Sequence, residues 1–133
     1  GVFKVGPRPD LTISENPSIF SGAPTKDQIL TFKGTIKNID GAAATSTFQN
    51  VFKIDLGNNG TTDVTLSPNP TIANLLANTS QSVISGNWTA LEGTHRVILC
   101  ADDPSQVIIE TNEVNNCNPT GTGVFIISPI ISP

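Results

Sequence analysis

Oxygen-bearing side chains crowd one stretch of this sequence. Asp102, Asp103, Glu110, Asn112, Glu113, Asn115 and Asn116 fall in a single run toward the C-terminal end. Carboxylates and amide carbonyls at that density suit a hard divalent cation, which takes oxygen ligands and relieves clustered negative charge. Calcium is the candidate ion, although nothing in the residues requires a cofactor. The same residue types also bond exposed backbone amides and hold an irregular loop without metal. A second stretch, Asp55 to Asp63, approximates the D-x-[DN]-x-[DN]-G calcium loop, with Asp55, Asn59 and Asp63 as donors and Gly60 at the bend. Gly57 stands where that loop needs a side-chain oxygen, and Leu66 stands where it needs its final Glu. A plain hairpin is the competing account there.

Other chemistry finds little material. A hydrolytic triad needs a base beside its nucleophile, and His95 is the single histidine. It falls in the inward phase of a strand pattern and reads as a packed core residue. Tyr is absent, and the adjacent Asp102 and Asp103 would point apart at a strand end. No enzyme is expected. Cys100 and Cys117 lie outside any C-x-x-C pair, and one His cannot complete a zinc site with them. Either they form a disulfide in an oxidising compartment, or they are two buried thiols in a reducing one.

Charged residues are only 14% of the chain and the net charge is -4, with the Lys and Arg scattered. That argues against a nucleic-acid surface, which needs clustered basic residues. No apolar run approaches the roughly 18 residues of a membrane span, so membrane insertion is not expected. A first residue of Gly and the absence of Met suit a mature chain whose leader has been removed, or an excised piece.

The elements that must position these residues read as strands. Short alternating runs separated by turn residues predict a two-layer, all-β Greek-key sandwich of about seven strands. The runs are Asp10 to Ser14, Gln28 to Asn38, Thr45 to Leu56, Thr61 to Leu66, Gln81 to Ala90, Thr94 to Asp102 and Thr122 to Ser128. Asn16-Pro17 reads as a bend after the first. In the second, Leu30, Phe32, Gly34 and Ile36 share the inward face. In the third, Phe48, Phe52, Ile54 and Leu56 face inward while Gln49, Lys53 and Asp55 face out. Asn58-Asn59-Gly60 marks a hairpin, because Asn and Gly tolerate the positive φ of a tight turn. The run from Thr94 places His95, Val97, Leu99 and Ala101 on one face and Cys100 on the other.

The stretch Gly93 to Cys117, G-T-H-R-V-I-L-C-A-D-D-P-S-Q-V-I-I-E-T-N-E-V-N-N-C, resembles the C-terminal half of CARDB domains. These are cell-adhesion-related domains of bacterial and archaeal extracellular proteins. The likeness rests on the G-T-H start, the C-A-D at the strand end and the E-x-N-E-x-N-N-C close. Phe32 to Ala43 and Trp88-Thr89-Ala90 extend it more weakly, over roughly residues 10 to 128. The resemblance implies an immunoglobulin-like fold, bonded cysteines, an extracellular or cell-surface location and no catalysis.

The domain is expected over residues 10–128, between an apolar, proline-bearing tail at 1–9 and a second tail at 129–133. Val124 to Ile127 are apolar at every position, whereas a half-exposed edge strand should alternate. Val2, Phe3, Val5, Val124, Phe125, Ile126, Ile127, Ile130 and Ile131 are therefore the candidate assembly residues, covering one another within a chain or across to the next copy. The expected function is a non-catalytic structural or adhesion module that assembles with itself into a filament or surface layer. The alternative is a calcium-dependent adhesin, or a module binding surface carbohydrate or a protein ligand. One Trp and no Tyr leave few aromatic platforms for sugar.

Overall fold

The structure, a computed structural model, describes residues 7–130. Nine strands follow in order: β1 (Leu11–Ser21), β2 (Ile29–Asn38), β3 (Phe48–Asp55), β4 (Val64–Leu66), β5 (Thr71–Ile72), β6 (Ser80–Ile84), β7 (Trp88–Thr89), β8 (Gly93–Ala101) and β9 (Val124–Ile127). A single 3-10 turn at Leu56–Asn58 is the one helical element among the described residues. One sheet runs β1-β2-β6 with β7 also on β2; the other runs β4-β3-β8-β9 with β5 also on β3. All strand pairings are antiparallel. β6 and β7 are two pieces of one interrupted strand beside β2, and β4 and β5 of another beside β3. Counted so, the nine segments fill the seven positions of an immunoglobulin-like sandwich.

The inward phases read from sequence build the core. Leu30, Phe32 and Ile36 of β2 face Phe52 and Ile54 of β3 and Val97 and Leu99 of β8, each with no exposed surface. Each such side chain contributes about 1.5–3 kcal/mol by leaving water. Gly34 shares the inward face of β2, and the facing sheet uses its missing side chain. A Cβ at Gly34 would lie 2.5 Å from Leu99 Cδ2, so Leu99 packs where only glycine leaves room.

Four local expectations are corrected. β1 does not stop at Asn16-Pro17 but continues to Ser21, with register shifts between Ile13 and Ser21. Proline lacks an N–H, which an edge strand with bulges tolerates, and β1 lies at a sheet edge. The run Gln81 to Ala90 is broken between β6 and β7, where Ser85 and Gly86 leave the ladder. Ser85 Oγ takes the Phe32 amide at 2.9 Å, and a Cβ on Gly86 would collide with the Ser67 carbonyl. Pairing with β4 begins at Val64 rather than Thr61. Asp55 is not outward-facing and solvated but buried, because its carboxylate folds onto the following turn.

The Gly34–Leu99 contact can be tested by a double-mutant cycle. Leu99→Ala should cost about 2–5 kcal/mol and Gly34→Ala about 1–3 kcal/mol from overpacking, measured by urea unfolding. The double variant should be more stable than the summed losses predict; strict additivity would contradict the contact.

Candidate functional site: the disulfide loop and the β9 edge

β8 carries the site. Its first half, Gly93 to Arg96, pairs with β9. Beyond Arg96 no strand continues that edge, and it is closed piecemeal. The Val97 amide donates to Gly123 O at 2.9 Å, the Leu99 amide to Asn118 Oδ1 at 2.7 Å, and the Ala101 amide to Asn116 O at 2.8 Å. Strand alternation turns Cys100 away from the core into a small outer cluster with Val51 and Ile98. There it is bonded to Cys117. The phase read from sequence and the pairing both stand.

The loop from Asp102 to Asn116 has no ladder of its own, and side chains supply its backbone partners. Asp102 is buried at φ 54°, and its carboxylate accepts the amides of Val107 at 3.0 Å and Ile108 at 2.9 Å. Glu110, 3% exposed, accepts the Leu11 amide through Oε1 at 2.7 Å and Asn116 Nδ2 through Oε2 at 2.8 Å. It thereby ties the start of β1 to the disulfide. Asn112 Oδ1 caps the Val114 amide at 2.9 Å. Asp103 Oδ2 lies 3.6 Å from Lys53 Nζ at the surface, where such a pair contributes little. Asn115 Nδ2 donates to Asp10 Oδ1 at 3.0 Å.

Two amide oxygens of this loop remain without a hydrogen-bond partner among the described residues, and one exposed carboxylate lies beside them. Asn115 Oδ1 and Asn116 Oδ1 are buried and unpartnered. The Glu113 carboxylate sits beside that of Glu110. Glu113 and Asn116 line a cavity of about 250 Å³ together with Lys53, Asp102, Asp103 and the disulfide. Burial pushes the Glu110 carboxyl from its ordinary 4.5 up to about 8; the Leu11 and Asn116 donors oppose this, and Glu113 adds to it. Among the described residues, no three acidic, His or Cys side chains converge as a ready-made metal centre. Any ion here would depend on amide oxygens as well. Asp10 completes the neighbourhood and was not foreseen: it lies far away in sequence, and only strand pairing brings it in.

The second candidate loop is organised differently. Both oxygens of Asp55 accept amides, from Asn59 at 3.0 Å and Gly60 at 2.8 Å. Asp63 Oδ2 accepts the Leu56 amide at 2.9 Å, and Asn59 Oδ1 the Thr61 amide at 3.0 Å. The three residues share one loop, but their oxygens hold its backbone. His95 is buried; Nδ1 accepts the Gly57 amide at 3.0 Å, and Nε2 faces Leu91 O at 2.8 Å, a carbonyl that only an N–H can satisfy. Its ring packs with Trp88 and Phe125, leaving neither nitrogen for a substrate.

Among the described residues β9 is an outer strand of its sheet, paired only with β8. Phe125 and Ile127 turn inward, Ile127 fully buried and Phe125 packed at a tilt against Phe32 and edge-on to Trp88. Val124 and Ile126 turn outward and are 46% and 66% exposed. Ile130 is also exposed. The strand thus alternates in burial although not in polarity, and its own sandwich covers one face. Val2, Phe3, Val5 and Ile131 lie outside the described residues.

Two measurements follow. A raised carboxyl stabilises the fold most fully below its ordinary 4.5 and loses that contribution as pH rises through about 8. In chelator-containing buffer, wild-type stability relative to Glu110→Gln should therefore fall across that window; a flat difference would contradict the burial argument. Replacing both cysteines by serine should cost about 2–5 kcal/mol in thermal or urea unfolding, and an unchanged stability would show the loop to be held by its hydrogen bonds alone.

Comparison with known proteins accords with this geometry. The sequence profile of the CARDB family matches residues 8–120. Two solved structures from Pyrococcus furiosus share the fold. A crystal structure of a CARDB domain in complex with di-metal ions has 24% identity and a TM-score of 0.60, covering 94% of this chain and 96% of that one. A solution NMR structure of the same domain has 21% identity and a TM-score of 0.58, covering 94% and 98%. No curated protein matches the chain significantly. Profile, fold and disulfide loop together establish that this chain belongs to the CARDB family.

Proposed function

We propose that this CARDB domain is a non-catalytic extracellular module that associates with further copies of itself through β9. CARDB domains are adhesion-related β-sandwich modules, and the disulfide suits an oxidising, extracellular setting. The observation that carries self-association is the outer strand whose solvent face is Val124 and Ile126. Soluble proteins usually blunt such an edge with a charge, a proline or a bulge, and β9 has none of these within it. A second copy can add a strand to that edge by backbone pairing and cover the two side chains. Exposed aromatics suited to stacking on sugar are scarce: Trp88 is buried, and Phe20 is the one aromatic exposed as a large apolar side chain among the described residues. A protein partner therefore fits better than carbohydrate.

A second reading is favoured by the donor-free oxygens of the disulfide loop: the module binds a divalent cation that steadies this loop. The Pyrococcus furiosus domain solved with di-metal ions lends it support. On this reading, excess EDTA lowers the melting temperature and added calcium restores it by mass action; indifference to both removes the reading.

Self-association is tested by sedimentation across a concentration series. Wild-type protein should form larger species as concentration rises. Ile126→Lys, a charge placed on an exposed edge position, should stay monomeric with its melting temperature unchanged. A wild type that stays monomeric at high concentration, or a variant that associates equally well, would contradict the proposal.

A further inference from the structure

We infer that Glu113, Asn115 and Asn116 together hold a single calcium ion at the mouth of the disulfide loop, and that the Asp55–Asp63 loop holds none. This inference rests on the cation reading above and assigns its ligands. The assignment comes from which oxygens of the two candidate stretches are committed to hydrogen bonds and which buried ones are not.

In the disulfide loop, Asp102 and Glu110 each accept an N–H on both carboxylate oxygens. Asn112 caps an amide, and Asp103 is paired with Lys53. Asp102, Glu110 and Asn112 are not free without unmaking the loop, and Asp103 already faces a cation. Asn116 is 7% exposed, and its Nδ2 donates to Glu110 Oε2 and to Ala101 O. Those two acceptors fix the amide's orientation, so its Oδ1 is left buried with no donor. A buried carbonyl without a partner is destabilising, and the same holds for Asn115 Oδ1, whose amide is oriented by Asp10. Asn116 lines the cavity that Glu113 also lines. The Glu113 carboxylate in turn lies against buried Glu110. Lys53, which lines the same cavity, is engaged by Asp103. One cation answers both deficits: it gives the orphaned carbonyls a partner and the Glu113 carboxylate a counter-charge.

Calcium fits this donor set better than magnesium. It accepts irregular geometry and neutral carbonyl oxygens, whereas magnesium demands a near-ideal octahedron and keeps its waters. With one carboxylate and two amide oxygens as direct ligands, water must fill the remaining positions. The affinity should then be weak, with a Kd on the order of 10⁻⁴–10⁻³ M, as in other extracellular modules.

The test is calcium titration of the full chain by calorimetry, with chelator-treated protein as the start. Wild type should bind one equivalent. Glu113→Gln, at an exposed position that leaves the fold intact, should weaken binding roughly tenfold or more; Asp63→Asn should not change it. In nitrogen-edited NMR spectra, the side-chain amide signals of Asn115 and Asn116 should shift with the same half-saturation. If wild type binds calcium but Glu113→Gln binds it equally and the two amide signals stay fixed, the ligand assignment is wrong and the cation reading survives. If wild type binds no calcium at millimolar concentration, both are wrong. Loss of binding in Asp63→Asn would move the ion to the other loop and overturn the assignment.

Discussion

Where a sheet stops, its backbone amides still need partners, and this requirement shapes the whole molecule. An unpaired buried N–H costs as much as a lost hydrogen bond. This chain has few charges and little helix to absorb such groups, so it uses buried Asn, Asp, Glu and Ser side chains in place of missing strands. Asn118 stands beside β8 as a strand would, accepting the Leu99 amide and donating toward Val97 O. Asn38 accepts the Asp10 amide, Asn50 the Asp102 amide and Ser85 the Phe32 amide. Asp102 and Glu110 do the same for the disulfide loop. The buried polar residues are therefore the scaffold on which the candidate site stands.

That substitution explains what the sequence made legible. The inward phases of β2, β3 and β8 could be read because hydrophobic alternation reports burial directly, and Phe32, Phe52, Ile54, Val97 and Leu99 all fell where alternation put them. The outward turn of Cys100 followed from the same rule. Strand ends were harder. Nothing local announces that Ser85 will take an amide from the neighbouring strand, so Gln81 to Ala90 read as one strand. Pro17 looked like a stop, since its tolerance depends on β1 being an outer strand, which is a property of topology.

The site was half legible for a related reason. The density of Asn and acidic residues from Asp102 to Asn116 was visible, as were the two uses such residues have. Which oxygens are committed to backbone could not be read, because the donors come from afar: Leu11 for Glu110, and Asp10 as acceptor for Asn115. Asp55 misled in the opposite direction. Its strand phase pointed outward, yet a carboxylate that captures two amides of its own turn is drawn inside. At β9 the composition suggested a strand needing cover on both faces. The fold covers one face, and on the other Val124 and Ile126 are exposed.

The claim that side chains replace strands is tested most directly by amide hydrogen exchange of the oxidised protein. The amides of Leu11, Val107 and Ile108 face only carboxylate oxygens of Glu110 and Asp102. They should exchange with protection comparable to the paired amides of β2 and β8, and lose it when Glu110 or Asp102 is replaced by alanine. Exchange of these three amides at the rate of an unstructured peptide, while the sheets stay protected, would contradict the account.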